Sequence, residues 1–223
     1  MSIEIIKGIE YSNMIHSIKE ELSINSDFSI YIGEDCNEYY KNIGGVLYIK
    51  NGLYDSDKKI VFIRTIDEAV FVHEFTHVKF RELYSDFDGN EAVLHFISEY
   101  IAVFKEHQFI IDKNKKEKDY VYVRKIIIKE INNRISDIKE ELKQNNNRTK
   151  KEYMYCIANL LARKHILLSL DEYDYKNIEL EIIRGLCCFK SFDGLNIANV
   201  EEKYKNIENE YLNYIKTFNI SED

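Results

Sequence analysis

The 223-residue sequence contains no proline and no tryptophan. Without proline, sharp helix stops must come from glycine, asparagine and aspartate. Its cysteines are few: Cys36, Cys156, Cys187 and Cys188, with no C-x-x-C pair among them. That spacing fits thiols buried in a reducing compartment better than a disulfide framework. No stretch approaches the roughly 18 apolar residues of a membrane span, and residues 1–7 lack the apolar core of a signal peptide. These absences lead us to expect a cytoplasmic protein with no membrane partner. An excess of basic residues is also missing, since the net charge is −8. Broad binding to nucleic acid needs a basic face, so none is expected. There is no repeat unit, no phosphate-binding glycine loop and no nucleophile elbow. What is present is a 45% hydrophobic chain, long enough to bury a substantial core.

The chemistry-bearing stretch is residues 66–84, which contain His73-Glu74-Phe75-Thr76-His77 in an amphipathic helical pattern. Thr65, with Glu68 three residues later, reads as a capping box that starts this helix. Four residues turn a helix by about 400°, so His73 and His77 lie about 40° apart, one turn along the same face. Both imidazoles can reach one ion. Glu74 points to the flank, where it can touch a water on that ion without ligating it. The pattern predicts a Zn²⁺ site with His73 and His77 as ligands and Glu74 as general base.

A catalytic zinc usually takes a third protein ligand. The downstream candidates are Glu91, His95 and Glu99, all on one helical pattern. A turn-rich segment centred on Phe87 separates the two helices. If they pack antiparallel, Glu99 lies as far after Phe87 as the ion lies before it. His95 falls about 6 Å short along the axis and Glu91 about 12 Å short. Asp88-Gly89-Asn90-Glu91 also reads as a capping box, which gives Glu91 a structural task. Glu99 is therefore the expected third ligand, with Glu91 the alternative. His95, one turn before Glu99, can support a ligand from behind or donate to the developing oxyanion.

His73-Glu74-Phe75-Thr76-His77, followed by Ser98-Glu99-Tyr100-Ile101-Ala102, resembles the gluzincin class of zinc metallopeptidases. It is most similar to small bacterial intracellular peptidases of the ImmA/IrrE kind and their relatives on mobile elements. The resemblance covers residues 46–105. It implies a zinc peptidase that hydrolyses a peptide bond in an intracellular protein, such as a regulator of a mobile element. Two departures stand out. Thr76 occupies a position where many relatives carry glycine. Asn90-Glu91-Ala92 is itself similar to the glutamate-ligand segment of thermolysin-like enzymes. Tyr84, His95 and Tyr100 are the candidates for stabilising the transition state. A reading from another class is a helical protein-interaction module that retains a metal-binding peptidase-like domain without catalysis.

The expected fold is α+β. A helix is predicted over residues 9–22 and another over 37–42, with strands over 28–32, 46–49 and 60–63. Residues 51–59 read as a polar turn that makes the last two strands antiparallel. An edge strand of this small antiparallel sheet could pair with an extended substrate. After the motif helix the chain reads as almost entirely helical. Helices are expected over 90–111, 120–142, from 150, over 175–189 and over 198–218, with a solvated charged loop at 112–118. The domain division drawn from this change of character is 1–112 for the peptidase-like core and 113–223 for a helical part. His16, His107 and His165 have no ligand partner in helical register and read as ordinary.

Overall fold

In a computed structural model, the chain is described at residues 3–46, 48–115, 120–144, 149–170, 185–218 and 220. It divides into two compact units, Met1–Phe87 and Asp88–Asp223. Residue 112, where the composition changes character, falls within a helix of the second unit.

The first unit runs β1 (Ile3–Lys7), a short 3-10 turn, α1 (Ser12–Glu21), β2 (Phe28–Ile32), α2 (Cys36–Asn42), β3 (Gly52–Asp55), β4 (Ile60–Ile63) and α3 (Glu68–Tyr84). Its sheet has the order β1-β2-β4-β3. The two central strands are almost wholly apolar. Phe28, Ile30, Tyr31, Ile32, Val61, Phe62 and Ile63 are all buried, as expected where both faces of a sheet are covered. On one face α2 lays Tyr40 against Phe62, with ring centroids 4.9 Å apart, and Tyr39 over Tyr31 at 4.2 Å. On the other face Phe75 of α3 meets the edge of Phe28 at 5.1 Å.

The α+β class holds, but the sheet is mixed. β1 pairs with β2 and β2 with β4 in parallel; only β3 and β4 are antiparallel. The physical reason is the connections. A helix intervenes between β1 and β2, and α2 follows β2, so the chain returns before each parallel strand. No strand forms over 46–49 among the described residues. Val46 is 91% and Tyr48 70% exposed. The partner of β4 lies instead inside the segment read as a polar turn. There Asp55 accepts backbone N–H bonds from Asp57 and Lys58 at 3.1 and 3.0 Å and closes the hairpin. β1 was not expected at all; its strand is five residues long and mostly exposed at the sheet edge.

The second unit contains α4 (Glu91–Asn114), α5 (Tyr120–Gln144), α6 (Lys150–Ser169), two 3-10 turns (Gly185–Cys188 and Lys190–Phe192) and α7 (Val200–Thr217). Asn90 caps α4 by accepting from Ala92 and Val93. Thr149 and Glu152 form the expected capping box at the start of α6. α4 packs along α6, and Ile131 of α5 joins Ile111, Ile166 and Leu167 in one cluster. The stripe Val200, Tyr204, Ile207, Tyr211 and Tyr214 of α7 is buried. Phe96 of α4 gathers Phe189, Phe192 and Tyr211 around it at 5.2–5.3 Å. The charged loop begins later than predicted, because α4 continues to Asn114; residues 116–119 lie outside the described residues. So does most of the predicted 175–189 helix, of which residues 185–188 form a 3-10 turn.

Cys36 and Cys156 are buried as expected, whereas Cys187 and Cys188 are exposed. Burial pushes the Cys36 thiol up to about 11, so it stays protonated and unreactive. Among the described residues, no helix is long and apolar enough to cross a membrane.

Candidate metal centre

Helix α3 begins two positions later than the capping box suggests. Asp67, not Thr65, is the N-cap, and its carboxylate accepts from the Ala69 N–H at 2.9 Å. Thr65 is drawn off to the end of the sheet, where its N–H and hydroxyl both meet Asn51. From the cap onward, Phe71, Val72, Phe75 and Val78 are buried, with Phe75 against Phe28 of the sheet. Thr76 is fully buried, and its hydroxyl donates to the Val72 carbonyl at 2.7 Å. Position 76 thus holds a satisfied hydroxyl.

His73 and His77 occupy the half-buried stripe that remains. Their Nε2 atoms stand 3.2 Å apart, with the rings crossed edge to face. Two nitrogens bound at about 2.0–2.1 Å to one tetrahedral ion stand about 3.3 Å apart. The spacing on the helix therefore matches that of two ligands on a single ion. The candidate third donor is the carboxylate of Glu99. The ligand atoms of His73, His77 and Glu99 all lie within 4.8 Å of one another, so this group could hold a metal ion. Glu99 is 5% exposed in the middle of α4. A buried carboxylate needs a cation or several donors to offset its desolvation, so it suits this place only with such partners. Two imidazoles and one carboxylate make a donor set that fits a transition metal better than magnesium or calcium, which take oxygen ligands.

The other candidates fall elsewhere. Glu91 and His95 lie on the exposed side of the first turns of α4, with His95 Nε2 3.5 Å from the Glu91 carboxylate. Neither belongs to the group that could hold an ion. Tyr84 is buried between Phe80 and Phe87. Tyr100 is buried too, with its hydroxyl 2.7 Å from His165 Nδ1. Burial lowers the His165 pKa to about 4, so the ring is neutral. Its Nε2 faces Asp193 at 3.5 Å, and the tautomer with the proton on Nε2 would leave Nδ1 to accept from the Tyr100 hydroxyl. His165, read as ordinary, is thus a half-buried partner of Tyr100. His107 is ordinary, with Nδ1 donating to the Val103 carbonyl at 2.8 Å.

Two features had no signal in the sequence. One is Gly52, at the start of β3. Glu74 is 7% exposed, and its side chain lies over this glycine. A Cβ at residue 52 would stand 2.7 Å from Glu74 Oε1 and 2.8 Å from its Cγ. The strand and the helix can approach this closely only because no side chain intervenes. The other is Asn159 of α6, whose amide donates to Glu99 Oε1 at 2.6 Å. A glycine in a polar loop and an asparagine in a helix both read as commonplace from sequence. What makes them notable is contact across 22 and 60 positions of chain.

No protein-family model, no curated protein and no solved structure matches this chain.

Proposed function

We propose that this protein is a zinc-dependent peptidase of the gluzincin kind, hydrolysing a peptide bond in an intracellular protein. The observation that carries the reading is the convergence of the His73, His77 and Glu99 donor atoms, with Glu74 on the same helix turn. His73, His77 and Glu99 would hold the zinc. Bound there, zinc would supply Lewis-acid polarisation of a carbonyl and acidify a water. Glu74 is one residue from a ligand and nearly buried, where a carboxylate can accept a proton from water. The same carboxyl can then return that proton to the departing amine. β3 supports the reading as well. It is one of the two edge strands of the sheet, all four of its residues are partly exposed, and it starts against Glu74. An extended peptide could add to that edge through main-chain hydrogen bonds, bringing its carbonyl toward the site. The resemblance to intracellular enzymes supports a cytoplasmic location.

The test is direct. Purified protein should carry one zinc per chain and cleave a member of a broad set of unfolded proteins and extended peptides. A chelator should stop the cleavage, and added zinc should restore it. Zinc at one per chain with no cleavage anywhere in the set would replace this reading with that of a metal-holding interaction module.

Gly52 permits a sharper check. Its backbone is not in the left-handed region, so Gly52→Ala is tolerated by the chain itself. The atoms a new Cβ would meet are Oε1, Cγ and Cδ of the buried Glu74 side chain, so that side chain must move. Gly52→Ala should therefore lower the Tm while leaving the protein folded. It should also lower kcat by about 100-fold, the effect of a catalytic group misplaced by about 1 Å. An unchanged kcat would show that the Glu74 position over Gly52 is not the working one.

A further inference from the structure

Behind Glu99 lies a chain of three buried polar side chains. Asn159 Nδ2 donates to Glu99 Oε1 at 2.6 Å, and Arg163 Nη1 donates to Asn159 Oδ1 at 2.6 Å. The same guanidinium nitrogen reaches the Asn159 backbone carbonyl at 3.3 Å. Glu99, Asn159 and Arg163 are respectively 5%, 5% and 8% exposed. Around the last two, α6 is packed with Ile157, Ala158, Leu160, Leu161 and Ala162, all 2% exposed or less.

Chemistry sets the direction of this chain. A carboxylate only accepts and a guanidinium only donates. A side chain between them must therefore donate on one side and accept on the other. An amide does both, and its orientation is fixed, because flipping it would set oxygen against oxygen and N–H against N–H. Aspartate at 159 could not donate to Glu99, and leucine could do neither. Helix packing does not call for such an arrangement. Replacing a buried ionic group with apolar side chains is often neutral or stabilising. Here the arrangement even leaves Arg163 Nε buried without a hydrogen-bond partner among the described residues. Burial works against the charge on Arg163, while the carboxylates of Glu106 and Glu99 work to keep it.

We propose that Asn159 is a positioning residue for Glu99, with Arg163 fixing the amide in turn, so that α6 holds this carboxylate ready as a metal ligand. The proposal rests on the metal-site reading above. Asn159 touches no reacting atom; it acts by restricting Glu99 to one orientation. Second partners of this type tune metal affinity by about 10–100-fold.

The experiment compares the full-length wild-type chain with Asn159→Ala and Asn159→Leu. The first leaves a small gap and the second fills it, so a folding failure in one leaves the other to be read. Zn²⁺ affinity is measured by competition with a chelating indicator. Co²⁺ is titrated separately, and its ligand-field spectrum is recorded as a report on coordination geometry. Both variants should bind Zn²⁺ about 10–100-fold more weakly, with an altered Co²⁺ spectrum. A lowered Tm with wild-type Zn²⁺ affinity and an unchanged Co²⁺ spectrum would make the chain a packing feature and overturn the proposal. A wild-type chain that takes up neither ion would overturn the metal site itself, and the role of Asn159 with it.

Discussion

Replacing Glu74 with glutamine is expected to leave one zinc per chain and to reduce peptide hydrolysis by about 10²–10⁴-fold. The two residues are nearly the same size and shape. Glutamine would occupy the same 7%-exposed position over Gly52 and would require no rearrangement of α3. The metal-holding group does not include Glu74, so metal content should be unaffected. What is lost is the proton acceptor: an amide cannot take a proton from water near neutral pH. The check is metal content by elemental analysis, together with single-turnover cleavage of whichever protein or peptide the wild type cuts. If the Glu74→Gln protein cleaved at the wild-type rate, Glu74 would not be the base and the mechanism would have to be abandoned. If it lost zinc as well, Glu74 would be a ligand instead.

The second large effect concerns the third ligand. Glu99→Ala should reduce zinc affinity by more than the about 10–100-fold typical of a residue that merely supports a ligand. It removes a donor atom outright and takes from the Asn159 amide its carboxylate acceptor, leaving only the Tyr155 carbonyl at 3.2 Å. Glu91→Ala is the matched control. Glu91 lies eight residues earlier on the same helix, is exposed, and pairs with His95. Its removal should change zinc affinity less than twofold and the Tm by a few degrees at most. The measurement is a competition titration on all three proteins, with circular dichroism to confirm that each is folded. Comparable losses in both variants, or a greater loss in Glu91→Ala, would hand the ligand role to Glu91.

The arrangement of α4 shows why only one of the three candidates stands in the donor group. Glu91, His95 and Glu99 follow one another at four-residue steps, so each is turned about 40° from the last. Over two steps that drift separates the exposed pair near the helix start from the buried carboxylate in its middle. Glu99 lies as far after Phe87 in the chain as the histidine pair lies before it, and Glu99 is the residue in the group that could hold an ion.

Local chemistry was less dependable at segment ends. Thr65 and Asp67 both have the side chain of a good N-cap, and the sequence alone does not choose between them. The choice was made by Asn51, which claims Thr65 for the end of the sheet. Similarly, Val46, Tyr48 and Ile49 have higher strand propensity than Gly52, yet the strand forms at Gly52–Asp55. Asp55 can close a turn into Ile60, and Gly52 lets the strand pass under Glu74.

By itself the sequence determined the pairing of the two imidazoles and the place of Glu74 beside them. Helical period acts within a few residues, and nothing distant is needed to bring positions four apart onto one side. It likewise determined the apolar central strands and the buried stripes of the later helices, which follow from the same short-range periodicities. Only the tertiary structure decided which carboxylate joins the histidines, that Gly52 lies under Glu74, and that Asn159 and Arg163 stand behind Glu99. Those relations join residues 22 to 64 positions apart. Their spacing is set by how helices and strands pack, which no local pattern encodes.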